Sequence, residues 1–302
     1  MVESSRCGRY VEVKGHAIQP SGWLVIHGIS RDRIRQTAEG VAMYLLDHPI
    51  HLFVVATIVL LLAHEIGFRL RVLAKDRDDK DWQKQVHDTR NQIAFLLSLL
   101  IGFAMSMALS RFDERKQLVV DEANAIGTVY LRTATQAEPV RSSAPALLRD
   151  YADARLLIFG SKAQEPDRDS AAKRSRQIQD ELWSEVSTEA KQTPTPIVGL
   201  YESSLNEMID LDGKRVAATI NRVPADIWVL LAFLSITTSL VVGYGQRRRA
   251  WMATFVPVLM VAIAISLIAD LDTPASGFIQ VNQQSVQSLS DDLHMQLSNT
   301  AH

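Results

Sequence analysis

Cysteine is nearly missing: Cys7 is the only one in 302 residues. An internal disulfide framework and a multi-cysteine metal site are thereby excluded. A charge excess is missing too. With 32 Lys and Arg against 34 Asp and Glu the formal net charge is −2, whereas a nucleic-acid binder carries a clear basic excess. Gly-rich phosphate loops, a zinc-protease HExxH pair and a nucleophile elbow are also lacking. With no nucleophile–base or metal constellation, neither a catalytic site, a cofactor nor a metal is expected. The first 36 residues lack a sustained apolar core, so no cleavable signal peptide is expected.

What is present is segregation. A mean hydropathy of +0.02 hides four apolar blocks from which charge is almost excluded: Ile50–Phe68, Asn91–Ser110, Asp226–Gly245 and Ala250–Ala269. Each is about 20 residues, and a rise of about 1.5 Å per residue matches a hydrocarbon core about 30 Å thick. A soluble four-helix bundle would give each helix a polar face. Ile93–Leu109 has none, since serine is its most polar residue in any direction. Helices apolar all round lie in lipid or deep inside large proteins, and four of them in this chain indicate a membrane protein.

The expected fold is all-α, with four transmembrane helices as two hairpins and a helical polar insert between them. Residues 1–48 form an unassigned N-terminal extension, 49–110 the first hairpin, 111–225 the insert, 226–269 the second hairpin and 270–302 a polar tail. No turn signal separates the second block from "RFDERKQLVVDEANAIGTVYLRTA", where Val119, Ala123, Ile126, Tyr130 and Ala134 keep three-and-four spacing. One long helix is therefore predicted to leave the bilayer. Pro139 and Pro145 mark a loop before "ALLRDYADARLLIF". "EPDRDS" then breaks the chain before "AAKRSRQIQDELWSEVSTEA", and "QTPTP" precedes a last insert helix running toward Pro224.

The hairpin loops carry Arg69, Arg71, Lys75, Arg77, Lys80, Lys84 and Arg90, then Arg247, Arg248 and Arg249. The positive-inside rule places them in the cytoplasm. Basic residues including Arg111, Arg115, Lys116, Lys214, Arg215 and Arg222 crowd the other side, so sidedness stays open. His51 and His64 lie thirteen apart on one span, a spacing that suits a membrane haem, but no other span holds a histidine for the opposite ligands. Glu65 is a carboxylate in a span, which marks a functional site by default. It also lies four residues before Arg69, so interfacial pairing competes with an ion pathway. At the opposite boundary Arg111, Asp226, Asp270 and Asp272 gather at span ends, with Arg111 and Asp270 placed to pair, as an interfacial charge network or an ion vestibule.

The second span interleaves two rows. Ala94, Ser98, Gly102, Ser106 and Ser110 recur every fourth residue, and so do Phe95, Leu99, Phe103 and Met107. Small residues at this spacing let helix backbones approach closely, and Ser235, Ser239 and Gly243 repeat the pattern in the third span. The small rows are expected to pack helices. The bulky row, about 100° round the helix, faces lipid, another helix or a pore.

"SMALSRFDERKQLVVDEANAIGTVYLR" (106–132), "NEMIDLDGKRVAATINRVP" (206–224) and "IADLDTPASGFIQVNQQS" (268–285) resemble a bestrophin-like bacterial membrane protein family, over about 50–290. A more distant similarity runs to bestrophin anion channels, through the two-span, insert, two-span layout and "RFDERK". Setting Arg111 and Glu114 on the arginine and glutamate with which bacterial bestrophins leave the membrane puts Phe95, Leu99 and Phe103 on their three hydrophobic neck positions. Asp113 departs from the bestrophin tryptophan, and no calcium-binding acidic cluster follows the last span. Bestrophins also keep the insert in the cytoplasm, against the charge rule. The resemblance implies a multi-pass protein of the bacterial inner membrane, an oligomeric ion channel with the second span lining the pore and an inorganic ion as its partner. The alternative is a non-conducting scaffold or sensor whose insert binds partners.

Overall fold

Charge exclusion gives the spans, and amphipathic periodicity gives the helices between them. The structure, a computed structural model, describes residues 44–73, 80–160, 164–249, 251–274 and 277–300. Cys7 and most of the N-terminal extension, with Lys75 and Arg77, lie outside the described residues. The helices are α1 (Pro49–Leu73), α2 (Lys80–Thr133), α3 (Val140–Phe159), α4 (Glu165–Gln192), α5 (Pro196–Ile220), α6 (Ala225–Gly245), α7 (Trp251–Asp272) and α8 (Gln284–Thr300). No strand occurs among the described residues. The described residues from Leu45 onward form one compact unit.

The four helices α1, α2, α6 and α7 are long and apolar enough to cross a membrane. Their packing order differs from their chain order. α1 packs on α6 and α7, and α2 packs on the same two. Among the described residues α1 and α2 make no helix contact, and α6 meets α7 only slightly. The members of each hairpin therefore sit on the diagonals of the bundle. α2 turns Leu97, Ala104 and Ala108 inward, where they are buried with Leu231 and Ile268.

α2 continues unbroken for 54 residues into the polar insert. There Ile126 and Val129 join Leu148 and Tyr151 of α3, Ile178 and Leu182 of α4, Leu205 and Met208 of α5, and Leu293 of α8 in one core. Two proline readings need correction. Pro145 lies inside α3 rather than in a loop, because Val140 and Ala144 are buried in the core and hold the first turn helical. "EPDRDS" opens α4 instead of breaking the chain, with Pro166 in the first helical turn, where a missing N–H leaves no bond unmade. The segment after the last span is only partly tail. α8 packs on α3 and α2, and Asp153 accepts from Ser290 Oγ at 2.6 Å.

Candidate functional site

The first boundary is at the hairpin-loop end. Glu65 accepts from Arg69 at 2.9 Å and from Arg249 at 2.8 Å, so its carboxylate joins α1 to the connection between α6 and α7. Beside it His64 is buried, with Nε2 2.9 Å from Thr254 Oγ1 and 3.3 Å from Gln246 Oε1. His51 stacks on His48 with ring centroids 5.4 Å apart. Among the described residues no group of three His, Cys, Asp or Glu could hold a metal.

At the insert end the expected Arg111–Asp270 pair is not formed. Asp270 turns its carboxylate to the chain leaving α7, accepting from the N–H groups of Phe278 at 2.7 Å and Ile279 at 3.0 Å. That return needs Gly277, whose φ is +114° and where a Cβ would fall 2.1 Å from Asp270 Oδ1. Two backbone donors satisfy the buried carboxylate, and Arg111 is left to Glu114, 3.5 Å away. The arginine that reaches α7 is Arg115, one turn further on, which donates to the carbonyls of Leu271 and Asp272. The Asp272 carboxylate accepts from Val223 N–H at 2.8 Å, fixing the break between α5 and α6. Arg222 pairs with Asp47 at 2.6 Å, and Asp226 sits exposed in the first turn of α6. Of the four span-end residues, Asp270 and Asp272 are thus brought into one buried boundary, and Arg111 and Asp226 stay at its rim.

The small rows of the two spans meet different fates. Ser235, Ser239 and Gly243 are buried, against α1. A Cβ on Gly243 would lie 2.1 Å from the His64 carbonyl oxygen, and one on Gly67 would lie 2.0 Å from that of Leu240. Ser98, Gly102 and Ser106 are instead exposed, and nothing lies within 4 Å of a Cβ built on Gly102. The bulky row is exposed beside them, with Phe95 at 68%, Leu99 at 45% and Phe103 at 63%. Both rows of α2 therefore face away from their own bundle.

The sequence reading missed a buried charge cluster in the insert. Glu122 of α2 accepts from Arg155 Nε of α3 at 2.6 Å, and its other oxygen accepts from Arg215 of α5. Arg155 also donates to Asp212, whose second oxygen accepts from Gln179 of α4 at 2.8 Å. Arg215 donates to Gln283 Oε1 at 2.8 Å and lies 3.8 Å from the Phe159 ring centroid. Burial pulls the Arg155 guanidinium down, but the carboxylates of Glu122 and Asp212 win and hold it above its usual range. The signal was legible in phase: Glu122 stands on the stripe of Val119 and Ile126, and Arg155 on that of Tyr151.

The long apolar helices, the diagonal bundle and the all-helical insert define a four-span membrane protein with a polar helical insert. The sequence matches the Bestrophin-like domain over residues 56–286, and the chain belongs to that family. The fold is similar to that of a bacterial bestrophin homolog from Klebsiella pneumoniae, at 15% identity and a TM-score of 0.57, covering 80% of this chain and 96% of that one. A point variant of the Klebsiella pneumoniae homolog gives 15% identity, a TM-score of 0.58 and coverage of 82% and 97%. No curated protein matches the sequence.

Proposed function

We propose that the chain is one subunit of an oligomeric ion channel in the bacterial inner membrane, with α2 lining the pore. The outward face of α2 carries this reading. In the middle of a span it exposes a bulky row, Phe95, Leu99 and Phe103, beside a small row, Ser98, Gly102 and Ser106. In a ring of copies the small row lets neighbouring helices approach, and the bulky row points to the axis. Three apolar side chains one turn apart, about 5.4–6 Å along the axis, form a sleeve with no group to replace an ion's hydration shell. Such a sleeve gates by dewetting. The similarity to bestrophin anion channels drawn from "RFDERK" supports an anion as the permeant species.

The exposure of this row makes the test clean, because its truncation leaves no cavity inside the subunit. Phe95→Ala, Leu99→Ala and Phe103→Ala together are expected to raise conductance in planar bilayers while the melting temperature of the subunit holds. The same conductance in wild type and triple variant would move the row to the lipid face. Silence from both, with assembly intact, would favour the scaffold, for which the exposed Leu131, Ile197 and Leu200 of the insert offer an apolar docking surface.

A further inference from the structure

We propose that the cavity lined by α2, α3, α5 and the chain entering α8 binds a small organic carboxylate. This inference concerns the insert and does not rest on conduction. The cavity measures about 380 Å³, within the range of about 300–1,000 Å³ usual for small-molecule sites. Its polar wall includes Arg115, Arg215, Gln280, Asn282, Gln283 and Gln287, and among the described residues no Asp or Glu lines it. Glu122, the acid nearest to this wall through Arg215, is fully buried and does not reach the cavity. The lining itself therefore presents guanidinium and amide groups, with the countercharges, Glu122 behind Arg215 and Asp272 near Arg115, set back from it.

Both arginines are held before any ligand arrives. Arg215 is fixed by Glu122, Gln283 and the face of Phe159. Arg115 is buried, and its two terminal nitrogens each donate one hydrogen bond, to the carbonyls of Asp272 and Leu271. Its Nε is buried with no hydrogen-bond partner among the described residues. That atom has no surface open to the cavity, so the donors left for a carboxylate are the second hydrogens of the terminal guanidinium nitrogens. Guanidinium donors match the geometry of a carboxylate.

The opposite wall sets the rest of the ligand. Leu118, Val119, Leu156 and Phe159 are apolar, and a bare inorganic anion would leave them facing water. A carboxylate carrying a compact hydrocarbon or aromatic body fills both halves. Benzoate is a probe of that shape.

Asn282 supplies a variant that changes the cavity and spares the fold. Its Oδ1 accepts from the Gln284 N–H at 2.9 Å at the start of α8, a capping role that aspartate performs equally well. Asn282→Asp thus adds a negative charge to the wall, keeps the cap and gives up only the long donation from Asn282 Nδ2 to Gln284 Oε1 at 3.4 Å. Full-length protein in detergent is titrated calorimetrically with sodium benzoate, and separately with sodium sulfate at matched ionic strength. The expected result is saturable binding of benzoate, one per chain, weakened at least about tenfold by Asn282→Asp at an unchanged melting temperature. Arg115→Gln should weaken it as well. Sulfate binding as tightly as benzoate would show a site that reads charge alone and would overturn the assignment. So would benzoate binding indifferent to Asn282→Asp, or no saturation at millimolar concentrations.

Discussion

Gly67 and Gly243 hold α1 and α6 at a separation that no other residue permits. The missing side chains put backbone against backbone, so even alanine must push the helices apart. Gly67→Ala and Gly243→Ala are each expected to destabilise the subunit by about 1–3 kcal/mol, the usual range for overpacking, seen as a lower melting temperature. Gly102→Ala, in open space, should leave that melt unchanged, and Gly102→Leu should weaken the oligomer if the small row of α2 packs copies together. Two buried tyrosines behave differently. Tyr201 is fully buried, and its hydroxyl has no partner among the described residues, so Tyr201→Phe is expected to be neutral or stabilising by up to about 1 kcal/mol. The Tyr151 hydroxyl accepts from Gln179 at 3.2 Å, and burial pushes its pKa above the ordinary 10.0. Its phenol ionises less readily folded than unfolded, so its contribution is complete below pH 10 and is lost as the pH climbs above that value. Melting temperatures measured on both sides of pH 10 should fall less steeply in Tyr151→Phe than in wild type.

The insert is bound together by charge as much as by its apolar core. Glu122 receives guanidinium groups from two other helices, and its removal leaves both beside an unmet desolvation cost. Glu122→Gln is expected to destabilise by about 3–5 kcal/mol, as for breaking a buried pair, in chemical denaturation followed by circular dichroism. Arg174→Ala, which breaks the exposed pair with Asp150 at 3.3 Å, should change the same curve by less than about 1 kcal/mol. The elements themselves were legible in the sequence, since charge exclusion marks spans and three-and-four spacing marks helices. Proline misled at both positions: Pro166 lies in a first turn, where the missing N–H costs nothing, and Pro145 sits in the second turn of α3, held there by the buried Val140 and Ala144. The charge cluster left a visible mark, as Glu122, Arg155 and Arg215 interrupt apolar stripes in phase, but which charges meet depends on helix crossings that no local pattern encodes. The small rows teach the same point. Ser235, Ser239 and Gly243 are buried because α1 presents Gly67 to them, whereas Ser98, Gly102 and Ser106 have the same spacing and no facing partner within the chain.

In the whole molecule the diagonal arrangement decides what is left outside. With α6 and α7 both against its inner face, α2 shows its other face to lipid or to another copy. Cysteine accessibility on a Cys7→Ser background tests the topology. Ser170→Cys, exposed in the insert, should react with a membrane-impermeant reagent from one side only. Ser239→Cys, buried in the bundle, should not react, and Ser98→Cys should react only through a wet pore. Ready labelling at Ser239 would overturn the span assignment.

The unbroken length of α2 has a mechanical meaning. At about 1.5 Å per residue, its 54 residues make a rod about 80 Å long, with Phe103 in the bilayer and Arg115, Glu122 and Ile126 further along it. No joint interrupts that rod, so the bilayer and the polar insert share one lever. A tilt of about 5° at Ser110 carries Thr133, roughly 35 Å away, about 3 Å sideways. Anything that braces the insert against such a swing also stiffens the helix within the membrane.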